Sequence, residues 1–147
     1  MQSERSFRVD RVEWAQACNA LRAIRLDVFV REQSVPEALE WDGLDPQCEH
    51  VMASDLAGHP IATGRLLPDG HIGRMAVLKN WRRRGVGSAV LSELLDIARA
   101  RGDAFAILHA QSHATNFYRR AGFEIASAEF MEAGIAHVEM RTRLIAC

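Results

Sequence analysis

The stretch WRRRGVG, residues 81–87, sets three arginines directly before a Gly-x-Gly turn. Downstream, Val86, Val90, Leu91, Leu94, Leu95 and Ala98 recur at helical spacing as far as Arg101, and Gly102 then acts as a stop signal. Upstream, HIGRMAVL (71–78) reads as a strand. A strand that hands over to a helix through such a turn leaves several backbone N–H groups unpaired at the helix start. The positive end of the helix dipole lies behind them, so together they offer a seat for an anion. Gly85 and Gly87 permit backbone angles and close approach that a β-carbon would block, and arginine adds forked donors matched to phosphate oxygens. A solvated arginine face beside a tight turn has the same local sequence. Two familiar phosphate motifs do not fit: a P-loop needs Gly-Lys-Ser/Thr, absent here, and a dinucleotide fingerprint needs glycine where Val90 stands.

The whole chain supplies no field that would account for the arginines. Lys+Arg number 18 against 19 Asp+Glu, a formal net charge of -1, which excludes a global pull toward nucleic acid or a membrane. With 147 residues, 48% of them hydrophobic, the chain is long enough for one domain with a sizeable core. The charged amino terminus MQSERSFRVDR does not read as a secretory signal, and no apolar run is long enough to span a bilayer. Cys18, Cys48 and Cys147 are odd in number and widely spaced, against a disulfide framework or a zinc ribbon. A reducing, cytoplasmic setting is expected, with Cys18 on the apolar stripe of a helix.

Working outward, SFRVDRV (6–12) alternates as a first strand, and Trp14, Ala17, Leu21, Ile24 and Val28 predict an amphipathic helix over 13–29. Residues 31–47, broken by Pro36, Gly43 and Pro46, read as an acidic loop with a helical turn near Glu37–Trp41. Strands at 49–57, 60–67 and 71–78, joined by GH and PDG, form an antiparallel meander. AFAILHAQ (104–111) reads as a strand buried on both faces, residues 114–121 as a short helix closed by Gly122, and FEIASAEFM with IAHVEMRTRLI as a terminal hairpin turning at EAG.

These fragments resemble a known family. Arg82-x-x-Gly85-x-Gly87 after IGRMAV, with NFYRRAGF (116–123) some way downstream, is similar to the signature of the GNAT superfamily of acyl-CoA-dependent N-acyltransferases. VFVREQSVP, DGLD, GRLL, HAQSHATNFYRRAGF and MEAGIAHVEM resemble its ElaA-like branch of small bacterial proteins. The resemblance covers nearly the whole chain. It implies a single α/β domain of GNAT-like fold, a mixed, mostly antiparallel sheet splayed between its fourth and fifth strands and flanked by helices. It also implies an N-acetyltransferase, with acetyl-CoA as cosubstrate and direct attack by a primary amine in a ternary complex. A non-catalytic acyl-CoA sensor is the alternative.

Carried over, the resemblance assigns the pyrophosphate to backbone groups of Arg83, Arg84, Gly85, Val86, Gly87 and Ser88, helped by Arg82 or its neighbours. Met75, Ala76 and Val77 would flank the pantetheine arm, with the Val77 N–H aimed at the thioester carbonyl, and Asn116 would contact the same arm. Tyr118, the single tyrosine, would protonate the departing thiolate. The base is left open. The strand before the arginines has His71 but no carboxylate, a departure from the family pattern, so the candidates are His109, His50 and Glu32. Glu32, Gln33, Asp42, Asp45, Arg65, Gln111 and His137 match ElaA-like features and either line the acceptor cleft or brace the loop. The acidic loop 37–49 suits a cationic amine electrostatically. No metal is expected, because His109 and His113 straddle a strand-to-helix junction. The expected partner is a small-molecule or peptide amine; nucleic acid and membrane are excluded, and a homodimer through the terminal hairpin is left open.

Overall fold

The computed structural model describes residues 5–145. Its strands are β1 (Phe7–Val12), β2 (Glu49–Asp55), β3 (Pro60–Leu66), β4 (His71–Val77), β5 (Phe105–Gln111), β6 (Glu124–Ile125), β7 (Phe130–Glu132) and β8 (Ile135–Arg143). The helices are α1 (Trp14–Arg25), α2 (Glu37–Glu40), α3 (Val86–Arg101) and α4 (Thr115–Arg120). One sheet runs in the order β1-β2-β3-β4-β5-β8-β6, with β7 also on β8. Every pairing is antiparallel except β4 with β5. That parallel pair joins only at His71–Ile107 and Ile72–Leu108, after which the two strands part.

Helices cover both faces. Ala76 packs with Ile24 and Val28 of the α1 side, while its strand neighbours Met75 and Val77 pack against the larger core under α3. Alternate residues of a strand point to opposite faces, so α1 and α3 lie on opposite sides of β4. The α3 stripe of Val86, Val90, Leu91, Leu94, Leu95 and Ala98 is buried against Val51, Ile61, Ala62 and Leu66. The helix stops where expected: Gly102 takes φ 86°, and its N–H and that of Asp103 return to carbonyls of the last turn.

The structure departs from the sequence reading in four places. The first helix does not end at 29: beyond Arg25 it widens into a π-helical segment, Leu26–Glu32, that carries it three residues further. The strand at 104–111 is buried on one face only. Ala106, Leu108 and Ala110 meet the core, but Phe105 and His109 are exposed because the strands splay and leave the other face open. The first arm of the terminal hairpin is broken into β6 and β7, with the Ser127 hydroxyl between them accepting the Glu139 N–H at 2.8 Å. The charge of the acidic loop is largely consumed by internal ion pairs. Cys147 lies outside the described residues.

Candidate active site

The start of α3 is built for an anion by backbone alone. Gly85 sits at its N-cap with φ 82°, and among the described residues no side chain caps this end, so the N–H groups of Val86, Gly87 and Ser88 have no acceptor within the helix. Gly87 is close-packed: a β-carbon there would lie 3.3 Å from the Phe117 ring and 3.6 Å from Val77. The arginines divide. Arg82 donates from Nε to the Val77 carbonyl at 3.0 Å and from its terminal nitrogen to Glu32 at 2.8 Å, pinning the end of the π-helical segment to the end of β4. Arg84 lies over the Trp81 ring, and Arg83 is exposed.

The edge of β4 is freed by one surplus residue. Thr63 pairs with Ala76 and Arg65 with Gly73, so Gly64 alone faces both Arg74 and Met75. This is a bulge, and Arg74 takes φ 49° to accommodate it. Its effect is a change of phase. Before the bulge, the His71 carbonyl accepts from Leu67 on the β3 side; after it, the Leu78 N–H donates to Ile61 of β3. Successive residues in a strand direct their polar groups to alternate sides, so those of Met75 and Val77 face away from β3, into the gap beside β5.

Below the gap lies a cleft of about 690 Å³ whose walls include Phe29, Val35, Leu39, Met75, Leu108 and Tyr118. Tyr118 is held edge-on by Phe117 and Phe123, and burial pushes its hydroxyl up to about 12. A second groove, lined by Ser88, Leu91, Phe117 and Arg120, runs between α3 and α4. Asn116 is exposed on α4, and its carbonyl accepts from Arg120 at 3.2 Å.

The base candidates are now separated in space. Glu32 is bound to Arg82 and does not line the cleft. His50 is buried, stacks on Trp14 and hydrogen-bonds the Asp45 carbonyl at 2.8 Å, away from the cleft. His109 does line it, with Nδ1 3.1 Å from Glu132. His113 turns instead to Gln111, at 2.8 Å, so the H-x3-H pair does not converge on one ligand.

Loop 36–48 is locked to the sheet by an ionic network that sequence reading saw only in part. Arg25 binds Glu40 and Asp45, both at 2.8 Å; Arg65 binds Asp42 and Asp45; Arg74 reaches Glu40 at 2.9 Å and Asp42 at 3.3 Å. Three arginines thus neutralise three carboxylates. The hydrogen bond from Arg65 holds Asp42 well below the usual carboxylate range. Burial alone would raise Asp45, but Arg25 and Arg65 outweigh it and keep it low. The expectation that the acidic loop attracts a cationic amine narrows here to the exposed Glu37 and Glu49, because Glu40, Asp42 and Asp45 already have their counter-charges. Gln33 and Gln111 join across the cleft at 2.8 Å, and His137 lines its floor. Arg25 belongs to no motif quoted from the sequence, and Arg74 and Glu132 lie within quoted fragments that assigned them no role. Arg25 carried a signal, since it shares the helical face of Leu21 and Val28, where a cation needs buried partners.

The mixed sheet splayed between β4 and β5, with the Gly-capped start of α3 at the mouth of the splay, is a GNAT fold. Residues 15–144 match the Acetyltransferase (GNAT) domain family, and the chain belongs to it. It is a GNAT acetyltransferase of the ElaA-like branch. The uncharacterized protein YyaT of Bacillus subtilis is 40% identical over 123 residues, covering 80% of this chain and 82% of that one. ElaA of Escherichia coli is 30% identical, covering 86% and 87%, and its crystal structure superposes with a TM-score of 0.82 over 92% of this chain and 99% of that one. An acyl-CoA N-acyltransferase from Pseudomonas aeruginosa has a TM-score of 0.82 at 31% identity, covering 93% and 99%. Enzymes of this family move the acyl group of an acyl-CoA cosubstrate to an amine acceptor and release the CoA thiol. Among the described residues no helix is long and apolar enough to cross a membrane.

Proposed function

We propose that the protein transfers an acetyl group from acetyl-CoA to a primary amine, by direct attack while both are bound. The observation that carries this reading is the alignment of three unpaired N–H groups at the α3 start with the freed β4 edge and, beyond it, Tyr118. These residues fit the cosubstrate: a pyrophosphate needs backbone donors at close approach, and Gly87 has no β-carbon to obstruct the turn. In this reading the backbone from Arg83 to Ser88 holds the pyrophosphate, while Arg82 braces the turn by gripping Glu32 and Val77. Met75 and Val77 offer main-chain groups to the pantetheine arm, with Ala76 anchoring the strand to α1 and Asn116 reaching the arm from α4. The Val77 N–H donates where negative charge develops on the thioester oxygen.

Tyr118 supplies the proton for the departing thiolate. A phenol near 12 is a poor acid beside an ordinary thiol near ~8.5, so the hydroxyl works first as a hydrogen-bond donor. Burial that raises the phenol raises a thiol in the same pocket too, which brings the pair closer to balance. His109, in the cleft and oriented by Glu132, takes the proton of the attacking amine. Glu32 serves Arg82 instead of the chemistry.

Calorimetric titration with acetyl-CoA tests the first part. Wild-type protein is expected to bind in the micromolar range and Gly87→Glu to lose binding; equal binding by both would detach the turn from the cosubstrate. Free-thiol release with an amine panel tests the second. Tyr118→Phe is expected to lower kcat by about 10²–10⁴ with little change in acetyl-CoA affinity. Binding without turnover on any amine would make the protein an acyl-CoA sensor.

A further inference from the structure

The open face of the sheet carries a second constellation, which shares His109 with the proposed acyl-transfer geometry. His71 on β4, His109 on β5 and Glu139 on β8 each offer a ligand atom, and those atoms all lie within 4.8 Å of one another. The strands fix this. His109 and Glu139 are direct cross-strand partners, and His71 pairs with Ile107, two residues before His109 and on the same face. Each imidazole has a carboxylate behind it. Nδ1 of His109 is 3.1 Å from Glu132, and Nδ1 of His71 is 3.0 Å from Asp69. The Glu132 contact leaves Nε2 of His109 for a shared ligand, and carboxylates behind imidazoles orient them in the same way around bound metals. The competing cation is weak: Arg141 stands 3.9 Å from the Glu139 carboxylate.

We infer that His71, His109 and Glu139 form a binding site for a divalent transition metal ion, with the open coordination position facing the acceptor cleft. Two imidazoles and one carboxylate are a donor set suited to Zn²⁺, Co²⁺ or Ni²⁺, and three protein ligands leave a position for water or a second ligand. With bonds of about 2.0–2.1 Å, tetrahedral donors stand roughly 3.3 Å apart. Closing from the observed spacing takes side-chain torsion only, because the backbone positions are already adjacent. Binding requires neutral imidazoles and an ionised carboxylate, so it releases any protons these groups carry. The open position suits an acceptor bearing a second donor, such as a carboxylate beside its amine. A metal on His109 also occupies the lone pair that would take the amine's proton, so the free ion inhibits transfer. That consequence rests on the role proposed for His109; the coordination itself does not.

The test is titration of chelator-treated protein with Co²⁺, monitored by its visible absorption, and with Zn²⁺ in competition. One ion per chain is expected. Affinity should fall by at least about 10–100-fold in His71→Asn and in His109→Asn, by a similar factor in Glu132→Gln, and not at all in His113→Ala. Circular dichroism melts establish that each variant is folded. No protein-dependent Co²⁺ spectrum in the wild type overturns the proposal, as does affinity undiminished in both histidine variants. Acetyl-CoA binding by the same samples is measured separately, so failure of the metal site is distinguishable from failure of the transferase reading.

Discussion

Replacing Asp45 by asparagine removes one charge from the centre of the loop network and should cost more than any surface change. One oxygen of Asp45 accepts from both Arg25, at 2.8 Å, and Arg65, at 3.0 Å, and all three side chains are at most 6% exposed. The variant leaves Arg25, Arg65 and Arg74 facing only Glu40 and Asp42, one uncompensated positive charge in a buried cluster. Breaking a buried pair from one side costs about 3–5 kcal/mol. In a chain of this size each kcal/mol shifts the melting temperature by about 2–4 °C, so the expected drop is roughly 6–20 °C. Urea melts at neutral pH, read by circular dichroism, give the free energy directly, with an unchanged slope expected. The difference should also shrink in acid. Asp45 and Asp42 have folded-state values below the usual range, so their contribution is complete above the unfolded value near ~3.9 and is lost as pH falls through the folded values. A loss under about 1 kcal/mol at neutral pH would refute the reasoning, and would mean that water reaches the cluster freely.

Two further outcomes rest on local geometry. Tyr118 is the only tyrosine, so its ionisation can be tracked by ultraviolet absorbance: no phenolate should form until the pH approaches about 12. Because its folded value is raised, the stability it contributes is complete below the ordinary value near ~10 and is lost as pH rises through the folded one; a midpoint near ~10 would contradict its burial. Gly64→Ala should cost about 1–3 kcal/mol in a urea melt and weaken acetyl-CoA binding, since its new β-carbon would meet Met75 Sδ at 2.6 Å and Leu94 at 2.8 Å; a neutral change would mean that the bulge yields to α3 without strain.

Much of this arrangement was legible in residue order. The periodic stripe from Val86 to Ala98, bracketed by Gly85 and Gly102, left α3 little freedom, and the GH and PDG turns dictated the meander. The π-helical segment was not legible, because a widened turn keeps a locally apolar period through Val28 and displaces only the residues beyond it. The β4 bulge was equally hidden. Its extra residue is an arginine in the left-handed region, where sequence reading looks for glycine. The meeting of His71, His109 and Glu139 depends on the register of β8 against β5 and on a two-residue parallel contact, neither of which spacing along the chain reveals. The loop carboxylates were visible, but their partners lie on α1, β3 and β4, so only the fold could tell a braced loop from an acidic lure.

The surplus residue in β4 makes the slot a matter of parity. His71 and Leu78 stand an odd number of positions apart yet both direct polar groups to β3, and the surplus residue absorbs the difference. Substituting Arg74 leaves the count unchanged and the slot open. Deleting any one residue from 73–75 restores even alternation with Val77 still directed away from β3, but removes the irregularity at which β4 parts from β5 and lets the ladder between them extend. The opening between these strands is therefore tolerant of point substitution and vulnerable to a single codon lost in frame.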